Sequence, residues 1–168
     1  MLQIRKATPS DTKQILRITQ DAFKLYRDAL HTDTPVRALK ETEQDVLNDI
    51  HNHSVFVAEE GGIILGAIRY CLLSGSLAYI YRFAVDPAVS HTGIGSDLLA
   101  HVITECENSG VTAIALHTNA KYYGLARYYY GKEFFVHSTE TGKGYIRALF
   151  VKELKKNIPY DISPAFEK

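Results

Sequence analysis

An α/β domain built on one mixed sheet is the fold that the sequence predicts, and three observations predict it. Ser54–Glu60, Ile63–Leu73 and Leu77–Val85 are successive apolar runs of strand length, the first two joined by Gly61-Gly62, a short hairpin signal. Residues 93–108 then carry Ile94, Leu98, Leu99, Val102, Ile103 and Cys106 at helical spacing, stopped by Ser109-Gly110. The next apolar run, 111–117, is reached through that helix, so it must lie parallel to a neighbour. Two final strands, 133–138 and 145–152, flank a polar loop, 139–144, as a hairpin. The expected sheet is mostly antiparallel with one parallel pair, flanked by helices, and differs from a doubly wound sheet.

The remaining elements follow in order. Residues 2–7 alternate like a half-buried strand, and Thr8-Pro9-Ser10-Asp11 supplies an N-cap, a proline at the first helical position and an acid in the first turn. Ile15, Ile18, Ala22, Phe23 and Tyr26 form one apolar stripe, which breaks at residues 31–35. A second helix is predicted over 36–52, with Leu39, Val46, Leu47 and Ile50 inward and Glu41, Glu43, Asp45 and Asp49 on an exposed acidic side. That side reads chiefly as a solvated helix face, with attraction of a cationic amine as the functional alternative. Residues 119–130 form a further helix closed at Gly131. One domain spans 1–154, and 155–168, with Pro159 and Pro164 and no period, is an irregular tail.

Composition narrows the function. The chain has 168 residues, a net charge of +0 and a pI near 7.1, so it carries no electrostatic commitment to nucleic acid or an anionic membrane. No apolar run approaches a membrane span and the N-terminus lacks the shape of a signal peptide, so a soluble cytoplasmic protein is expected, as a monomer or a homodimer. Cys71 and Cys106 fit buried thiols. His51 and His53 are the only close histidine pair and lack a third ligand, so no metal is expected.

The chemistry concentrates after Leu77–Val85. Asp86-Pro87 turns the chain, and Ser90-His91-Thr92-Gly93-Ile94-Gly95-Ser96 opens the long helix. Two glycines one residue apart let the backbone approach a ligand, and the helix aims the positive end of its dipole the same way, which makes an anion cradle. A dinucleotide fingerprint would need glycine where Leu98 stands, and a P-loop would need Gly-Lys-Ser/Thr.

The run Val85-Asp86-Pro87, Gly93-Ile94-Gly95-Ser96 and Leu98-Leu99 resembles motif A of the GCN5-related N-acetyltransferases, the GNAT family. The family's usual Gln or Arg is here Ser90, which removes a side-chain contact but leaves the amides. The resemblance implies the GNAT fold with a splayed parallel pair, acetyl-CoA as cosubstrate and no metal. It further implies that Phe83, Ala84 and Val85 pair through their backbone with the pantetheine arm, and that Ser90, His91, Thr92, Gly93, Ile94, Gly95 and Ser96 hold the diphosphate. Asn119 and Ala126 are further candidate cofactor contacts.

The family's Ala-x-x-x-Tyr-x-x-x-Gly-Phe, whose tyrosine protonates the leaving thiolate, fits this chain in two registers. Aligning Ala126 gives Tyr130 and Phe135; counting from Leu116 gives Tyr129 and Phe134. Tyr130 is preferred because Ala126 then shares its helical face. No acid lies between Leu77 and Val85 where family members often keep a glutamate base; Tyr79, Tyr81 and His117 are alternatives, and a water chain is the default. The expected activity is acetylation of a primary amine of a small molecule by direct attack in a ternary complex. A non-catalytic acetyl-CoA sensor and an enzyme acting on protein N-termini or lysines are the competing readings.

Overall fold

The computed structural model describes residues 1–30, 35–73 and 76–168. The strands are β1 (Gln3–Lys6), β2 (Ser54–Glu60), β3 (Ile63–Leu73), β4 (Leu77–Val85), β5 (Ala113–Asn119), β6 (Phe135–Glu140) and β7 (Arg147–Glu153). The helices are α1 (Thr12–Leu30), α2 (Glu43–Asn52), α3 (Ile94–Asn108), α4 (Tyr123–Tyr130) and α5 (Ser163–Phe166). Hydrogen bonding orders the strands β1-β2-β3-β4-β5-β7-β6, with β4 and β5 parallel, as the sequence predicts. The chain divides into two compact units, residues 1–71 with 81–104 and residues 72–80 with 105–168, so that β4 contributes to both.

In the first unit, β2 pairs antiparallel with β1 and β3. Gly61 and Gly62 both take positive φ, the hand that a tight hairpin turn requires. Ile15, Ile18, Val46, Val55, Val57, Ile64, Ala67 and Ala84 bury one core, placing one stripe each of α1 and α2 on the sheet. The register of β2 against β3 slips by one residue after Ala58, which leaves Leu65 as an extra residue. Its carbonyl accepts from Asp86 N at 2.8 Å and anchors the chain where it leaves β4. Arg5 bridges Asp11 and Glu59 at 2.7 Å each, and its hydrogen bonds hold the Asp11 carboxyl down to about 2.

In the second unit, the β4–β5 ladder consists of three pairs and ends at Tyr79↔Ala115, while β7 pairs antiparallel with both β5 and β6. Residues 113–116 and 148–151 are buried throughout, as strands covered on both faces should be. Cys106 is buried, which pushes its thiol up to about 12, and Cys71 is also buried.

Several expected boundaries move. The helix predicted over 36–52 is broken: Arg37–Lys40 form one 3-10 turn, Glu41 is extended, and α2 starts at Glu43. The reason is local, since Thr42 and Asp45 make a reciprocal capping box that fixes a helix start there. The helix expected from 119 starts at Tyr123, because Asn119 ends β5 and its Oδ1 accepts from Lys121 N to make the turn. Strands β5 to β7 sit one or two residues later than expected at one or both ends. The tail carries one helical turn, α5, with Pro164 in its first turn and Ala165 buried. Of the predicted breaks, residues 31–34, Ser74 and Gly75 lie outside the described residues.

Gly66 faces α3 closely. A Cβ there would stand 2.9 Å from Leu98 Cδ1 and 3.3 Å from both the Ala84 carbonyl oxygen and Ile94 Cγ2. Leu98 can rotate but the Ala84 backbone cannot, so Gly66→Ala should cost about 1–3 kcal/mol by overpacking, read as a lower urea midpoint at unchanged slope.

Candidate active site

The cradle is assembled by β4, a 3-10 turn at Pro87–Val89, and the first turn of α3. Asp86 opens that turn by accepting from Ala88 N at 3.0 Å and is clamped by Arg17 at 2.9 Å. The Thr92 hydroxyl donates to Val89 O at 2.7 Å, so this side chain braces the loop. His91 and Gly93 have φ of 67° and 96°, turning successive amides toward one side. The first intrahelical bond is Asp97 N to Gly93 O. The amides of Gly93, Ile94, Gly95 and Ser96 have no protein acceptor among the described residues and lie at the positive end of a 15-residue helix. A Cβ on Gly95 would meet Val85 Cγ2 at 3.4 Å and Phe83 Cζ at 3.5 Å, so the helix start rests directly on β4.

A second cluster lies in the same unit. Arg69, in the middle of β3, has no exposure. Its Nη1 donates to Asp49 at 2.8 Å and its Nη2 lies 3.1 Å from Glu41 Oε2. Arg82 reaches the same glutamate at 2.5 Å. The two acids that the sequence places on a solvated helix face are therefore consumed by two arginines. Arg82 has φ of 49° inside β4, and this left-handed residue breaks the strand's alternation. Consecutive residues Tyr81 and Arg82 consequently line one cavity of about 460 Å³, together with Arg37, Lys40, Glu41 and Asp49. The Tyr81 hydroxyl is 2.6 Å from His53 Nδ1, which also lies 3.1 Å from Asp49. Burial, with the Asp49 carboxylate beside it, holds that hydroxyl protonated well above the ordinary tyrosine range.

In the second unit, the Tyr79 hydroxyl lies 2.8 Å from His117 Nδ1, and His117 Nε2 lies 3.2 Å from Glu140, which Arg147 holds at 2.8 Å. A carboxylate can only accept, so Nε2 carries the proton and Nδ1 accepts from Tyr79. Burial, reinforced by Arg147, lowers His117 to about 4. Burial works the other way on Glu140, but hydrogen bonds from Arg147 and His117 leave it below the usual range.

The tyrosine helix lies in this unit too. Tyr129 is buried, its ring against Tyr128, Phe134 and Phe150, whereas Tyr130 is 55% exposed with one edge on Phe150. Glu133 has φ of 64°, the backbone region that glycine favours, and Phe134 after it is buried. Phe135 is partly exposed and Ala126 half-buried. The family's Gly-Phe pair thus has its conformational counterpart at Glu133-Phe134, four and five residues after Tyr129.

The model of the Acetyltransferase (GNAT) family matches residues 19–134. This chain belongs to the GNAT family. Like its family, it is an acetyltransferase that uses acetyl-CoA, and the four outward amides with no acidic side chain among their residues fit that donor's diphosphate. A relative from Bacillus subtilis (strain 168), S-(2-succino)cysteine N-acetyltransferase, is 28% identical over 92% of this chain and 97% of its own length. Among solved structures, the PaiA N-acetyltransferase of Thermoplasma acidophilum with coenzyme A has a TM-score of 0.81 at 18% identity, covering 91% of this chain and 99% of that one. The ribosomal-protein-S18-alanine N-acetyltransferase of Escherichia coli has a TM-score of 0.74 at 18% identity, covering 95% and 100%. No helix among the described residues of this GNAT domain is long and apolar enough to cross a membrane.

Phe83, Ala84, Val85 and the residues from Ser90 to Ser96 are gathered in the first unit, and Asn119, Ala126, Tyr129 and Tyr130 in the second. Arg69, Arg82 and His53 escaped the sequence reading as site residues. An arginine inside the apolar run Ala67-Ile68-Arg69-Tyr70 was the available signal, because a buried cation demands carboxylate partners.

Two outcomes follow from these charges. Arg69→Met strands Glu41 and Asp49 with insufficient cation, and should lower stability by about 3–5 kcal/mol in urea denaturation. His117 binds its proton less readily folded than unfolded, so between pH 6.5 and 4 the unfolded chain holds more protons and stability falls with falling pH. The difference between the wild-type and His117→Gln stability curves should change across that window by up to about 3 kcal/mol and be flat outside it.

Proposed function

We propose that this GNAT domain transfers the acetyl group of acetyl-CoA to the primary amine of a small molecule, by direct attack of the uncharged amine while both substrates are bound. The observation that carries this reading is the set of free amides from Gly93 to Ser96 on the helix dipole, a donor set already aimed where a diphosphate needs it. Bound there, acetyl-CoA supplies an acyl group activated as a thioester. A small acceptor is supported by the Bacillus subtilis relative, whose name gives a modified cysteine as its substrate.

Each group of the chain then has a task. The loop amides up to Ser96, with those of residues 93–96 free, donate hydrogen bonds to the diphosphate, with no help from a side chain at Ser90. The main chain of Phe83, Ala84 and Val85 offers donors and acceptors to the pantetheine amides as a neighbouring strand would. Asn119 shapes the turn before α4 through its bond to Lys121 N, and Ala126 presents a small side chain. The amine's proton leaves through ordered water, since β4 carries no carboxylate. Tyr129 protonates the departing sulfur: the left-handed Glu133 and buried Phe134 support this register over Tyr130, and the surrounding rings fix the tyrosine's direction.

Coenzyme A release with a panel of small amines, beside titration with acetyl-CoA, tests the reading. Tyr129→Phe should lower kcat by roughly 10- to 100-fold, the scale of a lost general acid, with acetyl-CoA affinity kept. Tyr130→Phe should stay within about twofold. The reverse pattern would move the donor to Tyr130, and saturable binding without release across the panel would leave a sensor.

A further inference from the structure

We infer that the acceptor is an amino-acid-like amine bearing a carboxylate away from its reacting nitrogen, and that Arg37 and Lys40 bind that carboxylate. The inference rests on the proposed acetyl transfer and concerns the 460 Å³ cavity, which is largely open to solvent. Two of its three acids are already ion-paired. Glu41 and Asp49 balance Arg69 and Arg82, two charges against two. Asp45 Oδ2 accepts from both the amide and the hydroxyl of Thr42, at 2.8 and 2.7 Å, in capping α2.

Arg37 and Lys40 stand apart from this balance. Both line the cavity, both are exposed, and neither has a carboxylate within ion-pair distance among the described residues. They are the first and last residues of one 3-10 turn, where three residues complete a turn and side chains at i and i+3 eclipse. The buried Ala38 fixes the turn's inner side, so the two cations project together. Two adjacent positive charges, on a polar cavity whose four cations, with the buried Arg69 counted, exceed its three carboxylates by one, favour an anion. Arginine supplies a fork matching a carboxylate, and lysine adds a mobile point charge.

The test measures coenzyme A release from matched acceptors: glutamate against glutamine, aspartate against asparagine, and S-carboxymethylcysteine against its carbamoylmethyl analogue, with tyramine and putrescine as uncarboxylated amines. The carboxylate member of at least one pair should exceed its amide tenfold or more in kcat/KM. The double variant R37Q/K40Q should erase that preference by raising KM for the acid about tenfold, while the KM for acetyl-CoA is held and thermal melting confirms the fold. Amides or uncarboxylated amines used equally well, or a preference that survives R37Q/K40Q, would overturn the inference and leave acetyl transfer standing. Binding of acetyl-CoA with no release from any amine would instead overturn the small-amine reading and this inference with it.

Discussion

A guanidinium with no solvent contact organises how α2 meets the sheet in the first unit. Arg69 sits in the central part of β3 among Ala67, Ile68 and Tyr70, and burying its charge is tolerable only because Asp49 and Glu41 come to it. Those two carboxylates belong to different pieces of chain, one in α2 and one in the extended link before it. Their convergence therefore fixes where the 3-10 turn ends, where α2 begins and which way α2 faces. Arg82 completes the network from β4 and can do so because its backbone leaves the strand conformation. The apolar core that α1 and α2 place on the sheet would fix their distance from it; the ion cluster fixes the register of α2 along it.

The cradle follows a different logic. Its free donors are main-chain amides, left unpaired by the rule that a helix's first turn has no intrahelical partners. What makes the loop particular is its fastening: Asp86 held by Leu65 O, Ala88 N and Arg17, Thr92 held by Val89 O, and left-handed residues at 91 and 93. The cradle thus presents backbone dipoles, whereas the cavity lined by Tyr81 and Arg82 presents side-chain charge.

Most of the sheet was legible because short apolar runs and glycine turns are local signals: β2, β3 and β4 fall where the apolar runs begin and end. The α3 stripe and its terminal Ser-Gly were equally plain. The unbroken helix over 36–52 failed although its correction was also local, since Thr42 and Asp45 have capping-box spacing and the apolar stripe simply outweighed it. The tyrosine register stayed open because the signal that separates the alternatives, a glycine, is replaced by Glu133, and nothing in a glutamate announces positive φ. The partners of Arg69 lie 20 and 28 residues away, so no window of sequence could name them. The reading of Glu41 and Asp49 as solvated acids followed from that blindness.

The contact of Gly95 with β4 has a consequence for speed and affinity. With Val85 and Phe83 3.4–3.5 Å from where a side chain would begin, the helix start packs against the strand, so part of the entropy of aligning four amides is spent when the chain folds. Under the proposed binding of the diphosphate at these amides, less loop ordering would remain to be paid on association, and more of the interaction energy would appear as residence time.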